Sequence, residues 1–301
     1  MAFSQANVNY AHEYSQELAN AMPYLSYFGA IFDGENSTKY RPLRGKYVEI
    51  PSLEVSGAKP ADRDNITGAF SRNWNNAWQS VSLAQDREWS TLIDPLDMEE
   101  TNRVATVANI TKTFNELQKL PEMDSYIAST LATAAIGASA ADTTALTAAN
   151  ILEKWDTYLA TMTNARFNRD RIVAYMTPAT YKVLKEAAGI TRFVDVATGI
   201  RNVDRNVGKL DGVTIVEVPA DLMKTAFTYT EGFAPATGAG QVNLLMVSPD
   251  AVAAPVVYDT AMVSAPTAEN KGKWIYYERF YYGCFVLSKR TAGVYVNYTA
   301  A

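Results

Sequence analysis

Residues 39–86 place the tightest limit on what this chain can become. They spell two extended arms around a polar tip. The outgoing arm, KYRPLRGKYVEIPSLEVSG, is extended over 47–55 and interrupted at Pro51; the tip is AKPADRDNITGAF. The return, NNAWQSVSLAQDREW, sets Val81 and Leu83 against Ser80, Ser82 and Ala84 in strand alternation. Together they predict a long β-hairpin, in which a dozen extended residues reach roughly 40 Å. A two-stranded ribbon of that length is marginal in water, so it must lie on something else. Either its arms join an ordinary sheet of the same chain or the ribbon lies across another molecule. Arg41, Arg44, Lys46, Glu49 and Glu54 on the first arm, with Asp86, Arg87 and Glu88 on the second, give it mixed charge. Trp74 and Trp78 add the large apolar contacts that concentrate at interfaces.

The helical signal is strongest over residues 94–135. Asp97 suits an N-cap, with Glu100 in capping-box spacing, and Glu99 and Glu100 complement the helix dipole. Val104, Val107, Ile110, Phe114 and Leu117 then form an amphipathic stripe. Pro121 kinks this helix or starts a second, whose apolar face is Met123, Ile127, Leu131 and Ala134. Residues 136–149 read as an Ala/Ser/Thr/Gly linker. Residues 150–163 read as a helix burying Ile151, Leu152, Trp155, Leu159 and Met162. At the start of the chain, Tyr10, Tyr14 and Leu18 have helical spacing in a polar segment, and residues 22–32 are apolar enough to anchor it.

Residues 171–219 read as strand, helix, loop, strand. Ile172 to Met176 is a short apolar strand. Thr177 is placed to cap a helix with Pro178 at its first position, Tyr181, Leu184 and Ala188 on its inner face, and Gly189 as its stop. A polar loop over 190–211 carries Arg192, Arg201, Arg205 and Lys209. Gly208-Lys-Leu-Asp-Gly212 and a strand over 213–218 close the unit at Pro219. Residues 221–240 are a Gly-rich excursion, 242–247 a strand, and 251–262 a strand broken by Pro255. Residues 274–287, the turn SKRTAG and residues 294–298 read as a terminal hairpin with aromatic faces.

The wording of three segments resembles one family: RIVAYMTPATYKVLKEAAG followed by VGKLDGVTIVEVP, the helix entry and exit IDPLDMEET and LPEMDSYIAS, and the ending YYERFYYGCFVLSKRTAGVYVNY. They resemble the major capsid proteins of tailed bacteriophages, the Hong Kong phage capsid fold. The resemblance runs through the chain in the family's element order. It implies an α+β fold with an N-terminal arm (1–36), an extended β-hairpin loop (37–92), a peripheral domain with the spine helix and terminal strands (93–145 and 248–301), and a central α/β axial domain (146–247). It also implies a subunit of an icosahedral shell around double-stranded DNA, built of hexamers and pentamers, found in the virion and assembled in the host cytoplasm. Portal and decoration proteins are the implied partners. The short arm after Met1 leads to the expectation of a separate scaffolding protein or none. Inter-subunit contacts are then expected at Tyr10, Tyr14, Arg41, Arg44, Lys46, Glu49, Glu54, Trp74, Trp78, Arg192, Arg201 and Arg205. Lys46 and Lys59 lie where some relatives cross-link, but no local motif supports that transfer. An encapsulin-like shell around protein cargo and a soluble α/β enzyme are the rival readings.

The chemistry-bearing residues agree with a structural role. With one cysteine, Cys284 in an apolar run, and one histidine, His12, neither a zinc site of the Cys/His type nor an internal disulfide is available. Gly208-Lys209 fails as a phosphate loop, because Val203 and Leu210 stand where Gly and Ser/Thr are needed. Gly238 and Gly240 are followed by Asn243, not a third glycine, so no dinucleotide fingerprint forms. Asp94 and Asp97 are explained by a helix start. No cofactor, metal or catalytic residue is expected. A formal charge of −5 without a basic block argues against sequence-driven nucleic-acid binding, and no run is long enough for a membrane helix.

Overall fold

The computed structural model describes residues 26–34, 41–42, 47–58, 72–96, 107–187, 194–197, 200–203 and 207–300. Tyr10, Tyr14, His12, Arg44, Lys46, Lys59, Asp97, Glu100, Val104, Ala188, Gly189, Arg192 and Arg205 lie outside the described residues.

In chain order the elements are α1 (Gly29–Phe32), β1 (Arg41–Pro42), β2 (Tyr47–Val55), β3 (Trp74–Ser82), β4 (Gln85–Ile93) and α2 (Val107–Phe114). A π-helical segment, Asn115–Lys119, leads into α3 (Leu120–Gly137), followed by β5 (Ala141–Asp142), α4 (Ile151–Asn164), β6 (Val173–Met176) and α5 (Pro178–Glu186). Then come β7 (Val194–Ala197), β8 (Ile200–Val203), β9 (Lys209–Leu210), β10 (Val213–Glu217), β11 (Phe227–Thr228), β12 (Ala234–Pro235) and β13 (Gln241–Val247). The last strands are β14 (Val252–Ala253), β15 (Val256–Ser264), β16 (Trp274–Tyr282), β17 (Phe285–Val286) and β18 (Val294–Thr299).

The body is organised by a six-stranded mixed sheet in the order β5-β18-β13-β6-β10-β9. β6 and β10 run parallel and are joined through α5, so the strand–helix–strand unit read from the sequence is a crossover connection. Thr177 caps α5 by accepting from the Thr180 N–H at 3.4 Å, with Pro178 in the first turn. β9 returns into β10 through Asp211 and Gly212, whose φ values of 52° and 87° make the two-residue Asp-Gly hairpin turn.

Both faces of this sheet are covered, which explains its nearly unbroken apolar strands. Tyr175, Leu245, Val247, Val294 and Val296 pack with Ile127, Ala128 and Leu131 of α3. Ala174, Met176, Leu244 and Met246 pack with Trp155, Leu159 and Met162 of α4 and Leu184 of α5. Tyr158 stacks on Tyr295 with ring centroids 4.3 Å apart. A second sheet, β15-β16-β4, turns Tyr276, Glu278, Phe280 and Tyr282 inward, and Trp89 stacks on Phe114 of α2 at 4.1 Å.

The chain is helical throughout 107–137, but not by one uniform repeat. The π-helical segment inserts about a quarter of a turn and rotates everything after it. Leu117, expected on the inner stripe, is 64% exposed, whereas Asn115 and Lys119 are buried. The same widening accommodates Pro121 in the first turn of α3, where a regular helix would clash with its ring. Beyond it Met123, Ile127 and Leu131 are buried as expected.

Three expectations are corrected. Asp86, Arg87 and Glu88 are not on the ribbon's return arm; they lie in β4, paired with Tyr281, Phe280 and Arg279 of β16. The polar loop over 190–211 contains a hairpin, β7–β8, in which Val196 pairs with Arg201. The chain's end is not a hairpin, because β16 pairs with β15 and β4 while β18 pairs with β13 and β5 in the other sheet. The switch occurs at Gly283, where a Cβ would sit 2.6 Å from a Leu83 methyl, so a larger residue there would have to displace the Leu83 side chain at the base of the ribbon.

Candidate assembly surfaces

The ribbon is built by β2 and β3, paired antiparallel without interruption from Tyr47↔Ser82 to Val55↔Trp74, with β1 on its edge. Directly opposed residues share a face, so the register sorts the side chains. Val48 and Val81 oppose one another on the face toward the body, where Val48 is buried with Leu83 and Tyr281. Glu54 is on this face too, and it forms an ion pair with Lys289. The opposite face carries Tyr47, Leu53, Val55, Trp74 and Trp78, and there the apolar groups meet water. Leu53 is 67% exposed, Val55 72%, Trp74 51% and Trp78 47%. The Arg72 guanidinium covers part of Trp74, 4.3 Å from the ring centroid.

A contiguous apolar stripe of this kind is uncommon on a monomer. Covering Leu53, Val55, Trp74 and Trp78 would remove on the order of 400 Å² of apolar surface. That is worth roughly 10 kcal/mol before the cost of association.

Of the sequence-predicted contact residues, Trp74 and Trp78 are on the exposed stripe. Glu49 is half-buried on the same face, and Glu54 is tied to the chain's own Lys289. Arg41 is in β1 and Arg201 in β8. Sequence reading missed Tyr47, Leu53 and Val55. Their signal was parity: they alternate along β2 in step with the two tryptophans.

Within the body, buried charge ties the helix over 107–137 to the β15-β16-β4 sheet. Lys119, projecting from the π-helical segment, pairs with Glu278 of β16; both are buried, and the Tyr276 hydroxyl donates to the same carboxylate at 2.8 Å. The Lys119 ammonium also lies 4.7 Å from the Phe280 ring centroid. Arg87 forks onto Glu122 of α3 through Nε at 2.7 Å and Nη2 at 3.0 Å, and the Tyr282 hydroxyl adds a third bond at 3.3 Å. Burial pushes the Glu122 carboxyl above its usual range, opposed by Arg87.

The N-terminal segment is held as well. Phe28 and Ile31 are buried in the main core, and Phe28 stacks on Tyr175 at 4.2 Å. Asp124 of α3 accepts from the Ser26 hydroxyl at 2.5 Å and the Tyr27 N–H at 2.9 Å. Burial pushes its carboxyl up to about 6 despite those donors. On the far side Asp142 accepts from Lys154, Thr144 and Tyr158. Burial opposes its charge, but these donors win and hold the carboxyl well below the usual range.

Cys284 is buried and burial pushes its thiol up to about 12, so it is a small apolar residue and not a nucleophile. Among the described residues no three His, Cys, Asp or Glu side chains are grouped to hold a metal ion.

No known protein-family model matches this chain, and no curated protein matches it. Its fold does match solved structures. A structure titled as the capsid of the cyanophage P-SCSP1u aligns with a TM-score of 0.62 at 14% identity, over 85% of this chain and 84% of that one. The asymmetric unit of the bacteriophage PhiM1 mature capsid aligns at 0.60 and 13% identity, over 84% and 82%. A chain of Mycobacterium phage Che8 aligns at 0.55 and 16%, over 84% and 85%. The α+β fold is that of phage capsid structures.

Proposed function

We propose that this chain is a major capsid subunit of a tailed bacteriophage, which assembles with copies of itself into an icosahedral shell around double-stranded DNA. The observation carrying this reading is the exposed apolar face of the ribbon, on a chain whose fold matches capsid structures over most of its length. A monomer gains nothing from holding two tryptophans, a leucine and a valine in water on a paired ribbon. A subunit that lays the ribbon on its neighbour buries them.

In this reading the six-stranded sheet with α4 and α5 is the axial domain that closes rings, and it takes in β5 and β18 from outside the 146–247 span expected from the sequence. The helix over 107–137 and the β15-β16-β4 sheet form the peripheral platform. Each contact is modest, and many together make a stable shell. The buried Lys119–Glu278 pair and the half-buried Arg87–Glu122 pair keep helix and sheet in one relative geometry, as a part repeated around a shell requires. The experiment is negative-stain electron microscopy and size-exclusion chromatography of the purified chain, with nucleic-acid content measured on any particles. Closed shells or rings of five and six subunits support the reading, and DNA within particles from infected cells completes it. Shells filled with protein cargo and no DNA would replace the phage head by a storage compartment. A persistent monomer would reject assembly altogether.

A further inference from the structure

A second surface differs in chemistry from the ribbon. Three turns that are distant in sequence enclose a cavity of about 540 Å³. Its wall comprises Ala165–Asn168 at the end of α4, Arg171, Asp250, and the Lys289–Ala292 turn before β18. Four cationic side chains line it, Arg166, Arg171, Lys289 and Arg290, against one carboxylate. On a chain of net charge −5 this is a concentrated positive spot.

The cations differ in how far they are already neutralised. Arg171 pairs with Asp250 at 3.0 Å. Among the described residues the Arg290 guanidinium donates to the Asp250 carbonyl, at 2.9 Å. Lys289 pairs with Glu54 of the ribbon, both groups about half exposed. Arg166 has no ion pair among the described residues, and it sits in the turn that ends α4. The end of α4 is a Schellman turn: the Phe167 N–H donates to the Met162 carbonyl at 3.2 Å and the Arg166 N–H to the Thr163 carbonyl at 2.9 Å. Arg166 fills the left-handed position of that turn, with φ of 69°, where glycine is the unstrained choice. A cation beside the negative end of a helix is favourable, which accounts for part of the choice. It does not account for three further cations from two other turns converging on the same cavity. Ser139 at the end of α3 takes the same left-handed position in the same hydrogen-bond pattern, so the backbone alone marks no site; the convergence of four cations on one cavity does.

We propose that this cavity binds a phosphate-bearing anion, held by Arg166, Lys289 and Arg290, with Arg171 fixed in place by Asp250. Guanidinium groups match phosphate oxygens in forked geometry, and Lys289 adds a point charge. The anion competes with Glu54 for Lys289, so occupancy of the cavity is coupled to the ribbon.

The test is calorimetric titration of the full chain with sodium tripolyphosphate at 50 mM salt. Fluorescence anisotropy with a labelled DNA duplex and tripolyphosphate competition runs beside it. Saturable tripolyphosphate binding is expected, weakened about tenfold or more in R166G. That variant suits the left-handed turn and should fold with undiminished thermal stability. R290Q should weaken binding similarly. Removing the competing carboxylate in E54Q should strengthen binding severalfold, a gain that misfolding cannot imitate. Duplex binding displaced by tripolyphosphate, with a salt slope that falls by about 1 in R166G, would identify nucleic-acid backbone as the source of the phosphate. Tripolyphosphate binding without duplex binding would identify a free phosphate compound. Absence of both at low salt, or affinities unchanged in R166G, R290Q and E54Q, would overturn the proposal.

Discussion

The central sheet and the ribbon use the same strand chemistry to opposite ends. In β13 the apolar residues occupy both faces, and Leu244, Leu245, Met246 and Val247 are all buried within the chain. In β2, among the side chains described, only Val48, near the base, is buried, while Leu53 and Val55 on the other face are exposed. What distinguishes the two is what stands opposite. Helices cover both sides of the sheet; the body covers only the base of one face of the ribbon. An apolar strand face without a partner among the described residues of its own chain is evidence about a second chain.

The contrast can be broken most severely through the buried charges within the body. Lys119→Met strands Glu278 in the interior and should lower the unfolding free energy by about 4 kcal/mol in urea titration. The double variant Lys119→Met with Glu278→Leu should recover most of that loss, because no charge is left unpaired. A mild single-variant effect would mean that water reaches the pair.

The next effect is pH-dependent. Asp124 has a pKa of about 6 in the folded chain against 3.8 for the free side chain. Between these values the folded chain keeps a proton that the unfolded chain has released. Stability contributed here is therefore present below pH 4 and lost as pH rises through 6, by up to about 3 kcal/mol. The urea midpoint should rise as pH falls from 7 to 5, and Asp124→Asn should flatten that rise. Glu122, raised in the same direction, supplies what slope remains.

A smaller loss is expected at the cap of α5. Thr177→Ala removes the acceptor for the Thr180 N–H and should cost about 1 kcal/mol. On the ribbon the expectation reverses. Leu53→Ser and Trp78→Ser should change monomer stability by less than about 0.5 kcal/mol, since both side chains are largely in water. A loss of several kcal/mol there would show that the stripe is covered within the chain, and the contrast would collapse.

Legibility in sequence followed the range of the interactions. The Thr177-Pro178 start and the paired arms of the tryptophan ribbon are written in neighbouring residues and formed as read, except that residues 86–88 belong to β4; the Asp211-Gly212 turn carries an equally local signal that the sequence reading did not use. The π-helical segment left no such trace, because Asn115, Glu116 and Lys119 are ordinary helix residues. The wider turn goes with the burial of Lys119 against Glu278, a contact made across the fold, and it turns Leu117 to the outer side. The ending misled for a related reason. Two aromatic strands joined by a short turn look like a hairpin, but Gly283 and the pairing of β18 with β13 send them to different sheets. The basic cavity was invisible because its walls come from residues 165–171, 250 and 289–292, which meet only in the folded chain.

The most direct measurement is sedimentation velocity on the wild-type chain and a Leu53→Ser, Trp74→Ser, Trp78→Ser variant, at matched concentration and with unfolding curves beside it. The account predicts large closed assemblies for the wild type. It predicts a monomer or an isolated ring of unchanged stability for the variant. Assemblies of the same size from both chains would contradict it, because the ribbon's exposed face would then have no part in joining subunits.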